Sequence, residues 1–219
     1  SYLRRTEESN VWVGMAKETA HQIGTPLSSL IGWLEILKLE NIDESTISEI
    51  EKDINRLQTI TDRFSKIGSE PVLEKRDIIE DTKNTIDYLQ TRVSQQVIFS
   101  FNAPDHPIYV DINPALHSWT VENLVKNGID AMKGKGSLNI VISELEDMIK
   151  INITDTGKGI PKNQFTKVFE PGFTTKKRGW GLGLSLTKRI VQEYHKGKIK
   201  VAHSEIGKGT TIQISYKKA

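Results

Sequence analysis

Met148-Ile149-Lys150-Ile151-Asn152-Ile153-Thr154-Asp155-Thr156-Gly157-Lys158-Gly159-Ile160-Pro161 alternates apolar and polar residues, then breaks at two glycines and a proline. A period of two marks a half-buried strand. Residues 138–143 alternate in the same way, so the spacing predicts a hairpin of strands over 138–143 and 148–154. Asp155 then stands at a strand end. A carboxylate there can accept a hydrogen bond from an exocyclic amine, and Gly157 and Gly159 let the backbone pass close to a flat ring. Asp and Gly are also ordinary turn residues, so this segment alone decides no function.

Working upstream, Asn113-Pro114 opens a predicted helix with proline at its first position, ending near Lys133. Asn123 and Asn127 lie four apart on it, so both amides project from one face. Amide oxygens suit Mg²⁺, although a merely polar helix face looks the same. Working downstream, Phe165, Phe169 and Phe173 surround Pro171 and precede Thr174-Thr175-Lys176-Lys177-Arg178. Aromatic anchors beside a cationic loop suit a lid over a charged ligand; a solvated loop with a few core contacts has the same composition. Gly179-Trp180-Gly181-Leu182-Gly183-Leu184 opens a helix over 182–194, and glycines at a helix start leave backbone N–H groups free for phosphate oxygens. The run lacks the Gly-Lys-Ser/Thr ending of a Walker loop, and a lid-like loop, not a buried parallel strand, precedes it.

The remaining pattern predicts strands over 72–75, 96–102, 108–111, 198–202 and 210–215. Asp77 is positioned to cap a helix running to about Val93. Strands and helices with antiparallel hairpins predict an α+β two-layer sandwich over residues 71–219.

Residues 1–70 have a different rhythm. Met15, Ile23, Leu27, Leu30, Ile31, Leu34 and Leu37 recur at helical steps within a helix over 3–40, about 57 Å long. Asn41-Ile42-Asp43 offers a stop and a new cap. A second helix carries Ile47, Ile50, Ile54, Leu57, Ile60 or Thr61, Phe64 and Ile67 at heptad-like spacing. A hairpin that pairs with its twin into a four-helix bundle would bury both stripes. Gly68-Ser69-Glu70-Pro71 marks a hinge. His21, in His21-Gln22-Ile23-Gly24-Thr25-Pro26, falls opposite the stripe and is expected in solvent. Thr25 follows one turn later on the same face. Pro26 removes a backbone donor and is expected to bend the helix. A neutral imidazole is a nucleophile near neutral pH, but most surface histidines do nothing of the kind.

Composition narrows the class. The 219 residues are 37% hydrophobic and 26% charged, as in a soluble globular protein. With 30 basic and 28 acidic residues the net charge is +2, which favours neither a nucleic-acid nor an anionic-membrane partner. The absence of cysteine excludes disulfides, thiolate metal sites and cysteine nucleophiles, and fits a reducing compartment. No apolar run approaches the roughly 20 residues of a membrane span, and no signal-peptide pattern opens the chain. The catalytic portion is therefore expected to be cytoplasmic. The chain begins at Ser1 inside a predicted helix, so a membrane enters only through a segment upstream.

In their order and spacing these motifs resemble those of the sensor histidine kinases of two-component systems. That group lies within the ATPases sharing the gyrase, Hsp90, histidine kinase and MutL nucleotide fold. The resemblance covers essentially the whole chain: an acceptor box at His21 to Pro26, an asparagine box at Asn123 and Asn127, and a first glycine box at Asp155, Gly157 and Gly159. A phenylalanine box follows at Phe165 and Phe169, a second glycine box at Gly179, Gly181 and Gly183, and a last glycine turn at Gly207-Lys208-Gly209-Thr210. The resemblance implies that residues 1–70 form a dimerisation and phosphotransfer hairpin and residues 71–219 an ATP-binding domain. Asn127, with Asn123, would hold Mg²⁺. Asp155 would bond the adenine amino group, and Gly157, Gly159 and Thr210 would line the base pocket. Lys176, Lys177 or Arg178 would neutralise phosphates bordered by Gly179, Gly181, Leu182 and Gly183. His21 would take the phosphoryl group and a response regulator receiver domain would accept it. Thr25 resembles the position that orients water in the reverse, phosphatase reaction.

Two positions depart from the family pattern. Gln22 stands where relatives usually carry Glu or Asp, and an amide cannot accept a proton there; Gln22 would orient the ring, with Glu18 as substitute base. Asp130 stands where many relatives carry a lysine, leaving Lys126 or Lys133 to supply that charge. Other readings stay open: a conformational ATPase of the same fold, a degenerate kinase acting as scaffold or phosphatase, and a coiled coil with an accessory domain. In the first, a Glu would be expected one turn before the Mg²⁺-binding Asn; Asn123 holds that place and Glu122 is offset by one.

Overall fold

The computed structural model describes residues 2–67, 69, 71–173 and 183–219, with side chains from residue 13 onward. The chain divides into two units, Ser1–Pro71 and Val72–Ala219.

The first unit is a helical hairpin, α1 (Tyr2–Leu39) and α2 (Glu44–Ile67). Asp43 ends the turn by accepting the Thr46 N–H at 3.2 Å, which satisfies one of the free donors at the start of α2. Pro26 cannot donate to the Gln22 carbonyl, yet α1 continues through it as one element. Ser28 Oγ donates to the Gly24 carbonyl at 2.9 Å in the same turn. The seam between the helices buries Leu27, Leu34 and Ile54, with Ile31 and Ile47 packed against them. Ala16 and Ala20 are buried further toward the N-terminus. Met15 and Leu30 of the predicted stripe stand in solvent, Met15 at 63% exposure. One α2 helix covers only a narrow strip of α1, and a one-residue offset turns a side chain by about 100°. Trp33, Ile36, Ile50, Leu57 and Ile60 are exposed as well. Leu30, Trp33, Leu37, Ile50, Asp53 and Leu57 line a groove of about 250 Å³ on this face.

The second unit runs β1 (Glu74–Asp77), α3 (Ile78–Gln90), β2 (Val97–Asn102), β3 (Tyr109–Ile112), α4 (Pro114–Ala131), β4 (Gly136–Glu144), β5 (Met148–Asp155), α5 (Gly183–Arg189), β6 (Lys198–Glu205) and β7 (Gly209–Lys217). The first strand begins two residues later than its predicted start at Val72. A single π turn, Ile190–Tyr194, prolongs α5. Asp77 accepts the Ile79 N–H at 3.1 Å and Asn113 the Leu116 N–H at 3.1 Å, so both predicted caps open their helices.

Strands β1 and β3 form a small antiparallel pair, and the other five form a sheet ordered β2-β4-β5-β7-β6. The two-layer sandwich is the expected one, but β2 runs parallel to β4. The connection between them contains β3 and α4, a crossover long enough for parallel pairing. Register aligns the buried residues into rows: Ile142, Ile151, Ile214 and Ile199, then Ile140, Ile153, Ile212 and Val201. Ile86 and Leu89 of α3 and Val121, Leu124 and Val125 of α4 complete this core.

A polar cluster is buried with it. The Asn113 N–H donates to His195 Nε2 at 3.0 Å, so that nitrogen carries no proton and Nδ1 faces the Tyr216 hydroxyl at 3.4 Å. His117 Nε2 lies 2.8 Å from Thr82 Oγ1. Burial holds both imidazoles neutral, lowering His117 to about 4 and His195 to about 3.

Candidate functional site

The alternation of β5 carries Asp155 onto the same face as Ile149, Ile151 and Ile153. A carboxylate therefore ends an apolar row, with Leu138 on one side and Thr210 on the other. Asp155 is 9% exposed. It accepts the Gly157 N–H at 2.8 Å and the Thr210 N–H. Burial pushes its carboxyl above the usual range, and the two backbone donors act against that rise without cancelling it.

The surrounding backbone closes tightly on this carboxylate. A Cβ at Gly157 would stand 2.6 Å from the Ala131 carbonyl carbon, and one at Gly209 would collide with the Asp155 carbonyl oxygen. Gly159 (φ +76°) and Gly209 (φ +126°) also occupy backbone that side chains rarely adopt. The glycines thus have a reason within the chain itself: they let the 156–160 loop, the end of α4 and the β6–β7 turn converge. Lys158 N–H donates to the Ala131 carbonyl at 3.1 Å, Gly207 N–H to the Lys158 carbonyl at 2.8 Å, and Ile160 N–H to Ser204 Oγ at 2.7 Å. Ser204 Oγ lies 2.8 Å from Thr210 Oγ1. A buried acceptor ringed by backbone suits a flat heterocycle with an exocyclic amine.

Helix α4 passes above this cradle. Gly128 packs against Asp155, where an added Cβ would lie 3.2 Å from the Asp155 Cβ. Asn123 and Asn127 are half-buried on the same helix. Asn123 Nδ2 reaches Thr187 Oγ1 at 3.4 Å, which orients the amide and leaves Oδ1 as the acceptor. Thr187 Oγ1 donates in turn to the Gly183 carbonyl at 2.8 Å, tying α4 to the start of α5. Lys126 is exposed and pairs with Glu122 at 2.7 Å. Lys133 follows the end of α4 in left-handed backbone. Phe169 is buried, and Phe165 and Phe173 pack against the core. Lys176, Lys177, Arg178, Gly179, Gly181 and Leu182 lie outside the described residues.

In the first unit His21, Gln22, Thr25 and Glu18 are all exposed on α1, as the stripe implied. Gln22 Nε2 donates to Glu18 Oε1 at 2.7 Å.

Sequence reasoning missed Gly128, Thr187 and Ser204. Gly128 left a signal, because a glycine inside a helix costs about 1 kcal/mol relative to alanine and so points to a close approach. Thr187 and Ser204 left none, since a hydroxyl's partner is set by tertiary packing.

Residues 116–219 match the histidine kinase-, DNA gyrase B- and HSP90-like ATPase family, and residues 13–70 match the His Kinase A (phospho-acceptor) domain. The chain belongs to the sensor histidine kinases. Among curated relatives of the family, Sporulation kinase E of Bacillus subtilis is 30% identical, covering 97% of this chain and 29% of its own length. Sensor histidine kinase ZraS of Escherichia coli is 29% identical, over 97% of this chain and 47% of its own. The chain thus spans about a third to a half of the length of most of these kinases. Among solved structures, the catalytic domain of histidine kinase ThkA is 24% identical with a TM-score of 0.60, covering 67% of this chain and 95% of that one. ThkA in complex with response regulator protein TrrA is 23% identical with a TM-score of 0.63, covering 98% of this chain and 64% of that one. These likenesses establish the shared kinase fold. Among the described residues no helix is long and apolar enough to cross a membrane.

Proposed function

We propose that this chain is an ATP-dependent protein-histidine kinase that phosphorylates itself on His21 and passes the group to an aspartate of a response regulator. The observation that carries the reading is the pairing, in one chain, of a solvent-exposed imidazole on a long helix with a buried, backbone-ringed carboxylate at a strand end. Asp155 accepts from the adenine amine, and Gly157, Gly159 and Thr210 border the ring. Asn127 and Asn123 would hold Mg²⁺, whose contribution is to neutralise charge on the phosphates. Lys176, Lys177 or Arg178 would neutralise the phosphates, which Gly179, Gly181, Leu182 and Gly183 would border.

The transfer is a single displacement. The Nε2 lone pair of His21 attacks the γ-phosphorus, an N–P bond forms, the bond to the β–γ bridging oxygen breaks, and ADP leaves with that oxygen. Positioning and charge neutralisation supply most of the acceleration in such reactions. The nitrogen–phosphorus bond is a high-energy one, so onward transfer to a carboxylate is favourable. Thr25, one turn beyond His21, orients the water that removes phosphate from the regulator in the reverse sense.

The hairpin acts as a homodimer. Leu30, Trp33, Ile50 and Leu57 form an apolar face that a second copy would cover, which supports a four-helix bundle. The partners are then a second copy and a receiver domain, with no nucleic acid, and the catalytic portion works in the cytoplasm. The test is a two-step transfer. The chain is labelled with γ-labelled ATP, freed of nucleotide, and mixed with receiver domains. Label should move to one receiver and fail to move when that receiver's acceptor aspartate is replaced by asparagine. Label that stays on the chain with every receiver contradicts the second step.

A further inference from the structure

Attack by Nε2 makes the His21 ring a cation unless the proton on Nδ1 leaves, so the reaction needs a proton acceptor beside that nitrogen. Gln22, the next residue, has only an amide and cannot take it. The sequence contains one carboxylate on α1 between Glu8 and Glu35, and it is Glu18. Glu8 and Glu35 lie thirteen and fourteen residues from His21, about 20 Å away along a helix. Glu18 lies three residues before His21, where side chains are neighbours. Helical side chains also lean toward the N-terminus, so the His21 ring is carried over the turn that holds Glu18.

The structure adds a holder. Gln22 Nε2 donates to Glu18 Oε1 at 2.7 Å, across one turn of the exposed face. A long, solvated carboxylate would otherwise sample several rotamers. The amide fixes one oxygen and leaves the other to accept.

We propose that Glu18 is the catalytic proton acceptor for His21 and that Gln22 is its positioning residue. This rests on the reading of His21 as the phosphoacceptor. In the step, the Nε2–P bond forms as the bond to the bridging oxygen of ATP breaks, and the Nδ1 proton passes to the free oxygen of Glu18. Two residues one helical turn apart thus divide a task that a single carboxylate at position 22 could perform.

The experiment uses the full chain with γ-labelled ATP and Mg²⁺ and measures the single-turnover rate of labelling over a range of ATP concentrations. Wild type must label and H21A must not; failure there overturns the phosphoacceptor reading, and this proposal with it. Given labelling, E18Q is expected to lose on the order of 100-fold in maximal rate with ATP affinity unchanged. Q22A is expected to lose about tenfold, the worth of one hydrogen bond to a charged group. The double variant E18Q/Q22E is expected to recover much of the E18Q loss, which a merely structural role for Glu18 would not produce. D62N, which removes an exposed carboxylate of α2, is expected to label at the wild-type rate. An E18Q chain that labels at the wild-type rate overturns the proposal. So does an E18Q/Q22E chain no faster than E18Q, or a large loss confined to D62N.

Discussion

Thr210 stands directly opposite Asp155 across the β5–β7 ladder, and its N–H shares that carboxylate with the N–H of Gly157. The pair places a desolvated acceptor at the floor of a cradle walled by backbone. A ligand amine that donates to Asp155 favours the ionised carboxylate.

That preference sets a pH dependence for nucleotide affinity. Burial raises the free-state pKa of Asp155 above its ordinary value, and the bound amine lowers it. Affinity is therefore full above the raised pKa and lost as pH falls through it. Titration calorimetry with ATP across falling pH should show the wild-type affinity weakening before an ordinary carboxylate would protonate. D155N should bind weakly at every pH. An affinity independent of pH in wild type would contradict the role given to Asp155.

The buried imidazoles set a second pH dependence, in stability. His117 has a folded pKa of about 4 and His195 of about 3, both below the ordinary histidine value of about 6.5. The unfolded chain binds more protons between these limits, so the stability of the second unit is full above about pH 6.5 and declines as pH falls toward 4. For His117 alone the loss is on the order of 3 kcal/mol. Urea titrations of the full chain should show the midpoint of the α4-bearing unit falling over this range. H117N should flatten the slope even if it lowers the midpoint.

Gly128 predicts a steric rather than a chemical loss. Its helix position is otherwise a poor one, and a methyl there would press on Asp155 at 3.2 Å. G128A should displace α4 from β5 and weaken ATP binding by roughly tenfold or more. Circular dichroism should remain that of the folded chain. Unchanged affinity would remove Gly128 from the site.

Much of this arrangement was legible before any coordinates. The period-two pattern of residues 148–154 placed Asp155 at a strand end. Asp77 and Asn113 announced their helices because caps are local chemistry. The parallel pairing of β2 with β4 was not legible, since partner choice depends on a crossover rather than on either strand. Nor was the burial of Ala16 and Ala20 in place of Met15. Two apolar strips run along α1, and sequence spacing does not say which one faces α2 and which is left outward. The pairing of Lys126 with Glu122 was not legible either, since an exposed lysine's partner depends on its rotamer.

The outward strip yields a prediction on assembly. W33D or L57D places a carboxylate on the groove face while leaving the seam side chains Leu27, Leu34 and Ile54 unchanged. Each should cost about 2 kcal/mol or more per protomer in self-association. Sedimentation equilibrium should show dimer for wild type and a shift to monomer for either variant, with helix content retained. Dimers of undiminished stability would place the second copy on another surface.

Thr25 separates the two directions of phosphate flow. T25A leaves His21 and the nucleotide cradle intact, so autophosphorylation should continue at the wild-type rate. Dephosphorylation of a labelled receiver domain should fall on the order of 100-fold. Equal loss in both assays would assign Thr25 to the shape of α1 rather than to a water molecule.

The identity of the acceptor atom remains the point on which the whole scheme turns, and chemical stability of the labelled product tests it most directly. Wild type, H21A and N127A chains are incubated with γ-labelled ATP and Mg²⁺, and the product is exposed to acid and to base. The account predicts label on wild type alone, lost in acid and kept in base, as a nitrogen-linked phosphate behaves. Label that survives acid, or that persists in H21A, would contradict it.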